Sequence, residues 1–196
     1  FYLQQKGEYA QAELLYEQAL TIFEHLLGKE HLSVATSLNN LASLYFEQGK
    51  YSQAELLQKR VLAIRKDKLG KEHSQVALSL NNLAETYRFQ GEYTQAKQLH
   101  ERALAIREKV LNQTHPDIAQ SLCNLAGLYT TLGNYAQAKT FYQQALQIEE
   151  KARGSEHPEV AKTLNSLAEL YRLQAKYLQA KPLYERALDI NEKILG

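Results

Sequence analysis

The sequence predicts an all-α fold in which antiparallel helix pairs stack into a right-handed α-solenoid. Three observations predict it: one phrase recurs every 42 residues, each period holds two apolar series with helical spacing, and helix breakers are scarce. The 196 residues include only 9 glycines and 3 prolines. That is too few for the frequent turns of a β-sandwich or β-barrel.

The period is set by five tyrosines, each of which opens a copy of one phrase: Tyr9, Tyr51, Tyr93, Tyr135 and Tyr177. A second phrase recurs at the same period as SLNNLASLY, SLNNLAETY, SLCNLAGLY and TLNSLAELY. We therefore expect one array over residues 1–196, with a partial repeat at 1–28 and full repeats at 29–70, 71–112, 113–154 and 155–196. Because one helix pair cannot bury its apolar faces alone, neighbouring repeats must stack.

Repeat 29–70 illustrates the two predicted helices. Apolar residues three or four positions apart run from Val34 to Tyr45, and Gly49 then ends the first helix because glycine adopts the left-handed conformation at low cost. A second series runs from Tyr51 to the Leu69-Gly70 pair. Each helix is expected to be about 16–18 residues long. Alanines at repeated positions predict close helix packing: Ala42, Ala84, Ala126, Ala168, Ala54, Ala96, Ala138 and Ala180.

The loops between repeats carry one histidine each: His31, His73, His115 and His157. Ligands of one metal ion lie within about 2–2.6 Å of it, whereas these histidines belong to different turns of the array. We therefore expect them to cap helix starts, and we expect no metal site and no cofactor. Pro116 and Pro158 are expected at the first position of their helices, where a missing N–H costs nothing.

Composition excludes several function classes. The formal net charge is +1, which disfavours a nucleic-acid-binding surface, and no apolar run is long enough to span a membrane. The single cysteine, Cys123, lies in an apolar stretch and is interpreted as a buried, inert thiol. Neither a catalytic motif nor a phosphate-binding glycine loop is present, so we expect a protein that is not an enzyme and that is cytoplasmic.

The order L-x-x-L-A-x-x-Y, Gly-x-Tyr and then A and AL resembles the tetratricopeptide repeat. The 42-residue form, with LNNLA at 80–84 and AIREK at 105–109, is similar to the repeats of kinesin light chain and of bacterial light-chain-like proteins. The resemblance covers essentially the whole chain. It implies a protein–protein interaction scaffold with a concave groove.

The residue before the buried leucine of each first helix is a candidate groove residue. Asparagine occupies this position in three repeats, at Asn40, Asn82 and Asn124, and Ser166 replaces it in the fourth. An amide offers donors and acceptors to a peptide backbone whatever the peptide's side chains are. The resemblance to kinesin light chain implies that these asparagines, with Arg65 and Arg107, hold an acidic peptide that contains tryptophan. Helix phase adds further candidates: Asn39, Asn81, Ser43, Glu85, Arg88, Phe46 and Phe89.

Two alternatives remain open at this point. The repeated asparagines could satisfy backbone groups between helices or face water, and the arginines could stabilise helix ends without any ligand. At the level of function, the alternative is a structural, self-associating array within a larger protein, such as a bacterial signalling protein. The sequence begins inside a helix and shows no polar capping helix, which favours contacts through uncapped ends.

Overall fold

The computed structural model describes residues 9–195, with side chains described for residues 9–193. Within this range the regular secondary structure is entirely helical: α1 Tyr9–Leu27, α2 Leu32–Glu47, α3 Tyr51–Leu69, α4 Ser74–Gln90, α5 Tyr93–Val110, α6 Pro116–Thr131, α7 Tyr135–Arg153, α8 Pro158–Leu173 and α9 Tyr177–Leu195. The predicted all-α class is therefore confirmed for these residues. The first eight residues of the partial repeat 1–28, and Gly196 of the last repeat, lie outside the described residues.

The helices follow the 42-residue repeat. The pairs α2/α3, α4/α5, α6/α7 and α8/α9 fill the four predicted full repeats, and α1 is the second helix of the partial repeat. By its internal contacts the chain divides into two compact units, Phe1–Ile106 and Arg107–Gly196, and α5 contributes residues to both. The expectation of a single array over 1–196 stays a prediction.

In the first unit, two apolar clusters join α1, α2 and α3. One contains Leu41, Leu44 and Tyr45 of α2, with Ala12 of α1 and Ala54 of α3. The other is built from residues of α2 and α3: Val34, Ala35, Leu38, Val61 and Ile64. The repeated alanines of this unit are buried, as the close-packing argument predicts: Ala42, Ala54, Ala84 and Ala96.

The second unit is packed in the same way. Ala126 of α6 meets Ala138 and Tyr142 of α7 and Leu167 and Leu170 of α8 in one cluster. A second cluster joins α8 and α9: Val160, Ala161, Leu164, Ala187 and Ile190. Helix α7 therefore buries its small residues between the first helices α6 and α8.

The helix starts are formed as the loop sequences predict. The Nδ1 atom of each repeated histidine accepts a hydrogen bond from the backbone N–H two residues later, at 3.1–3.2 Å, in His31, His73, His115 and His157. The capping prediction is thus confirmed. Helices α6 and α8 begin at Pro116 and Pro158, also as predicted.

The turns within repeats depend on a left-handed residue. Gly49, Gly91 and Gly133 have φ angles of 72°, 83° and 72°, in the region that glycine enters without a Cβ penalty. Ala175 takes the same place in the last repeat with a φ of 56°. Because alanine carries a Cβ atom, this turn stores backbone strain that the other turns do not.

Candidate functional site

A cavity of about 460 Å³ lies on the first unit, where α2 and α4 run side by side. We call it the α2/α4 cavity, and it is lined by three residues of α2, four of α4 and one of α3: Ser43, Phe46, Glu47, Asn82, Glu85, Arg88, Phe89 and Gln58. On each first helix the lining residues lie three or four positions apart, so they share one helical face. That spacing is why helix phase could predict Ser43, Glu85 and Arg88 as groove residues.

Aromatic rings form one side of the α2/α4 cavity. The rings of Phe46 and Phe89 meet edge to face, with centroids 5.0 Å apart, and Tyr51 stacks on Phe89 at 5.5 Å. Phe89 nevertheless keeps 49% of its surface exposed. The cluster therefore offers a fixed, partly solvent-facing aromatic surface, of the kind on which another ring can pack.

Arg88 is held in place by two neighbours on its own helix. Its Nη2 and Nε atoms donate to Glu85 Oε2 at 2.9 and 3.1 Å, and its guanidinium lies 4.4 Å from the ring centroid of Phe89. An ion pair and a cation–π contact thus fix the same side chain. Arg88 presents a rigid, half-buried cation to the cavity, already paired with a carboxylate.

Behind the cavity wall, His100 of α5 connects α4 to its partner helix. The ring is fully buried, and its nitrogens lie 2.8 Å from Asn81 Oδ1 and 3.0 Å from Glu85 Oε1. Burial by itself would raise the pKa of Glu85, but hydrogen bonds from His100 and Arg88 outweigh it and hold the pKa below its ordinary value. Glu85 is therefore a carboxylate whose charge is stabilised from two sides.

A second buried polar pair lies beneath the cavity, and helix phase did not find it. Thr86 is fully buried and donates to Gln58 Oε1 at 2.8 Å. The repeat pattern contains the missing signal, because the residues that correspond to Thr86 in the other repeats are leucines: Leu44, Leu128 and Leu170. The lining residue Glu47, exposed at the end of α2, was missed as well.

The predicted asparagines of the first unit have different surroundings. Asn82 lines the cavity, and its Nδ2 donates to Asn39 Oδ1 across the two first helices at 3.0 Å. Asn40 is exposed on α2 but is not one of the cavity-lining residues. The expectation for Asn81 is corrected, since its side chain is buried against His100 and is not available to a ligand in the groove.

Asn124, the third predicted asparagine, belongs to the second unit. It is half-buried on α6, and its Oδ1 accepts from Gln120 Nε2 at 2.9 Å, one turn earlier on the same helix. Contact between Asn124 and a peptide ligand stays a prediction.

Arg65 and Arg107 do not face a groove. Both are buried, and each donates from Nη1 to a serine hydroxyl on the first helix that follows in the chain, to Ser79 and Ser121 at 2.8 Å. Arg107 also donates to the carbonyl oxygen of Asp117 at 2.7 Å. These contacts correct the expectation that the two arginines bind a peptide, because their guanidinium groups are used to join helices.

At the position that corresponds to Arg107, the second unit buries a carboxyl group instead. Desolvation raises the pKa of Glu149, a hydrogen bond with Thr163 opposes the rise, and Glu149 Oε2 has no hydrogen-bond partner. Cys123 Sγ lies 3.4 Å from the same threonine hydroxyl, and burial raises the pKa of the thiol to about 12. A thiol of this kind stays protonated at neutral pH, which agrees with its interpretation as inert.

Within residues 9–195, no cluster of three or more His, Cys, Asp or Glu side chains has the arrangement needed to hold a metal ion. In the same range, no helix combines the length and the apolar character that crossing a membrane requires.

The family model for the tetratricopeptide repeat matches residues 1–67, 75–151 and 117–193. The chain belongs to this family. No curated protein sequence matches it. Tetratricopeptide arrays serve as scaffolds for protein–protein interaction, and the resemblance of this sequence to the tetratricopeptide repeat is confirmed.

Solved structures agree with this assignment. The array is similar to a kinesin light chain-like protein of Podosopora anserina with nearly identical TPR-like repeats, at 31% identity and a TM-score of 0.79, over 99% of this chain and 92% of that one. BtubC (BKLC) from P. vanneervenii is 24% identical with a TM-score of 0.81, over 99% and 77% of the two chains. The apo form of RapI is 22% identical with a TM-score of 0.78, over 98% and 67%. The last two show the fold alone, and together the three confirm the α-solenoid class.

Proposed function

We propose that the array binds an extended peptide of a partner protein without catalysing a reaction, and that the α2/α4 cavity holds one aromatic side chain of that peptide. The observation that carries the proposal is the meeting of Phe46, Phe89 and the Asn82 amide in one cavity. The rings supply apolar area and the amide can bond to the peptide backbone. Membership of a family of interaction scaffolds supports the proposal.

Tryptophan is the side chain that we propose for the cavity. Pockets of about 300–1,000 Å³ accommodate drug-sized ligands, so the α2/α4 cavity, at about 460 Å³, has room for an indole. Its wall carries two carboxylates, Glu47 and Glu85, against the single guanidinium of Arg88. The acidic residues of the peptide that the resemblance implies are therefore proposed to lie outside the cavity, along the exposed surface of α2 near Asn40.

The experiment uses the absence of tryptophan from the chain. A short synthetic peptide with one tryptophan between glutamates is titrated with the protein while the indole fluorescence is followed. We expect a saturable blue shift with a Kd on the order of micromolar. A second peptide with glutamines in place of the glutamates measures the contribution of the acidic flanks.

Variants locate the binding. Phe89→Ala and Asn82→Ala should each weaken binding by about tenfold or more, as expected for central contacts of an interface. Leu173→Ala is the matched control, because Leu173 holds the same repeat position in the second unit and is 46% exposed against 49% for Phe89. Absence of a blue shift, or equal affinities for all the variants, would contradict the proposal.

Self-association is the second candidate function, and α1 carries the observation that favours it. Ile22 is 56% exposed, whereas Ile64 and Ile106, which hold the same repeat position, are fully buried. Further apolar residues of α1 are exposed: Leu14, Leu15 and Leu26. If this surface joins two copies, sedimentation equilibrium should show an average mass that rises with protein concentration. The variant Ile22→Lys should have the mass of the monomer at every concentration.

We also propose that the protein is cytoplasmic. Its single cysteine, Cys123, cannot form an internal disulfide, and the thiol is half-buried, 3.4 Å from the Thr163 hydroxyl oxygen. Fluorescence microscopy of the tagged protein in its own cells tests this location.

A further inference from the structure

An arginine recurs on the outer surface of the second helices, and its guanidinium group is bound in the same way in each of the two compact units. In the first unit, Arg60 Nη2 lies 2.6 Å from Glu24 Oε1 and 3.1 Å from the carbonyl oxygen of Lys29. In the second, Arg186 Nη2 lies 2.6 Å from Glu150 Oε1 and 3.4 Å from the carbonyl oxygen of Ser155.

The two sites are built from the same repeat positions. The carboxylate comes from the last residues of the preceding second helix, and the carbonyl comes from the residue after the glycine that ends that helix. A carboxylate and a carbonyl oxygen together match the several N–H donors of one guanidinium. The repeat therefore contains a binding site for a guanidinium group, which in these two repeats an arginine of the chain itself occupies.

Two repeats depart from this pattern. At Arg102 the carboxylate position holds Lys66, and the arginine pairs instead with Glu72 in the loop. In repeat 113–154 the change is the opposite one, because Gln144 replaces the arginine while the carboxylate, Glu108, is present. The residue at the carbonyl position of this repeat is Gln113.

An open cavity of about 360 Å³ lies where the arginine would be, within the second unit. Polar side chains surround it, and apolar ones form its floor: Glu108, Gln113, Gln144, Gln147, Ile118, Leu122 and Ile148. Ile118 and Leu122 are nearly fully buried. An apolar floor beside a carboxylate suits the methylene stem and the charged head of an arginine.

The charge of Glu108 lacks an internal counterpart. Among the described side chains, Glu108 has neither an ion pair nor a hydrogen bond, and it lies in the last turn of α5, where the helix dipole is negative. Lys151, which corresponds to Lys193, makes no ion pair with Glu108 among the described side chains. An external cation would therefore meet a carboxylate that no ion pair of the chain neutralises.

We propose that this cavity binds an arginine side chain of a partner protein, whose guanidinium pairs with Glu108 and with the carbonyl oxygen of Gln113. The site is separate from the α2/α4 cavity, and the proposal does not depend on the binding of a peptide there. Lysine is a poorer fit, because its ammonium group is more strongly hydrated than a guanidinium and loses more water when it lies beside the apolar floor.

The test is a residue-resolved NMR titration of the ¹⁵N-labelled protein with a capped Gly-Arg-Gly tripeptide. The same tripeptide with citrulline, which has the shape of arginine but no charge, is the control ligand, and a lysine tripeptide measures guanidinium specificity. We expect saturable shifts at the amides of Gln113 and Gln144, with a Kd on the order of millimolar because one surface ion pair is weak. The citrulline tripeptide should not shift these signals, and the lysine tripeptide should bind several-fold more weakly than the arginine tripeptide.

Two variants test the assignment, and their spectra also report that they are folded. Glu108→Gln should abolish the arginine-induced shifts, and Gln144→Arg should do the same because the chain then supplies its own guanidinium. Glu101→Gln, an exposed carboxylate on the same helix, should bind as the unmodified protein does. Equal shifts with citrulline, equal affinity for lysine, or arginine shifts that survive Glu108→Gln would overturn the proposal.

Discussion

Asn81 and Asn82 are adjacent in the chain but differ in what they contact. Asn82 lines the α2/α4 cavity, whereas Asn81 is buried against the His100 ring. One step along a helix turns a side chain by about 100°, so a small error in the predicted helix phase moves a residue from the groove to the interior. The asparagine pair is evident in the sequence. Which of the two amides is accessible to a ligand depends on how α5 packs against α4.

Ala175 is the residue whose substitution should most simply increase stability. Its φ of 56° lies in the left-handed region, where the Cβ atom of alanine is unfavourable. Ala175→Gly should raise the free energy of unfolding by about 0.5–1 kcal/mol, the relief of strain being offset in part by a more flexible unfolded chain. Urea denaturation measures it, with Gly133→Ala as the reverse change. A lower stability of Ala175→Gly would show that the turn is not strained.

Glu149 should make stability depend on pH in the direction opposite to an ordinary ion-paired carboxylate. Its pKa in the folded protein lies above the ordinary 4.5, so the folded state binds the proton more tightly than the unfolded state does. The contribution of this group is therefore present below about pH 4.5 and is lost as the pH rises through the folded pKa.

The corresponding variant is Glu149→Gln, which cannot ionise. It should unfold with a free energy about 1 kcal/mol higher than that of the parent protein at pH 7, because no charge is then buried without full hydrogen bonding. At pH 4 the two proteins should converge. Glu185→Gln, exposed on α9, should alter neither value. A constant difference at both pH values would contradict the assignment.

The helices and their ends could be predicted almost completely from the sequence. Their signals are local: apolar spacing, a glycine after the first helix, a histidine before it and proline at two starts. Such signals act within one turn of helix and need no tertiary partner. The hydrogen bond of Arg65 could not be predicted from such local signals, because its partner Ser79 is on another helix.

The capping histidines give a direct test at the scale of one helix. His73→Ala removes the Nδ1 acceptor that satisfies the backbone N–H of Gln75 at 3.1 Å. We expect a loss of about 1 kcal/mol in the free energy of unfolding, the usual value of an N-cap side chain. His73→Asn should restore most of it, since asparagine is a good N-cap. Circular dichroism during urea titration measures the free energy of unfolding of all three proteins. An equal value for His73→Ala and the parent protein would show that the capping hydrogen bond does not contribute to stability.

Across the whole molecule, the repeats share a scaffold and differ in a few polar replacements. The first unit gathers Gln58, Thr86 and His100 behind the α2/α4 cavity, where the repeat pattern otherwise favours apolar or aromatic residues. In the second unit, Gln144 replaces an arginine and opens the cavity beside Glu108. The candidate binding surfaces are therefore marked by residues that differ between repeats more than by residues that the repeats share.

Those departures also explain what sequence reasoning missed at the candidate site. The shared asparagines predicted a row of equivalent residues. The cavity instead depends on Phe46 and Phe89, which no other full repeat has at the corresponding positions, and on Arg88, which recurs only as Arg172. Helix phase alone placed these three on the groove side. The buried partner Gln58 required knowledge of how α3 packs beneath α2 and α4, which only tertiary structure supplies.

The most direct test of the account is where the ring of a bound peptide lies. With the tryptophan peptide in excess over isotopically labelled protein, nuclear Overhauser effects can be measured between the indole protons and the protein's aromatic side chains. We predict cross-peaks to the ring protons of Phe46 and Phe89 on the two first helices that form the cavity. Indole cross-peaks confined to residues outside the α2/α4 cavity would contradict the account.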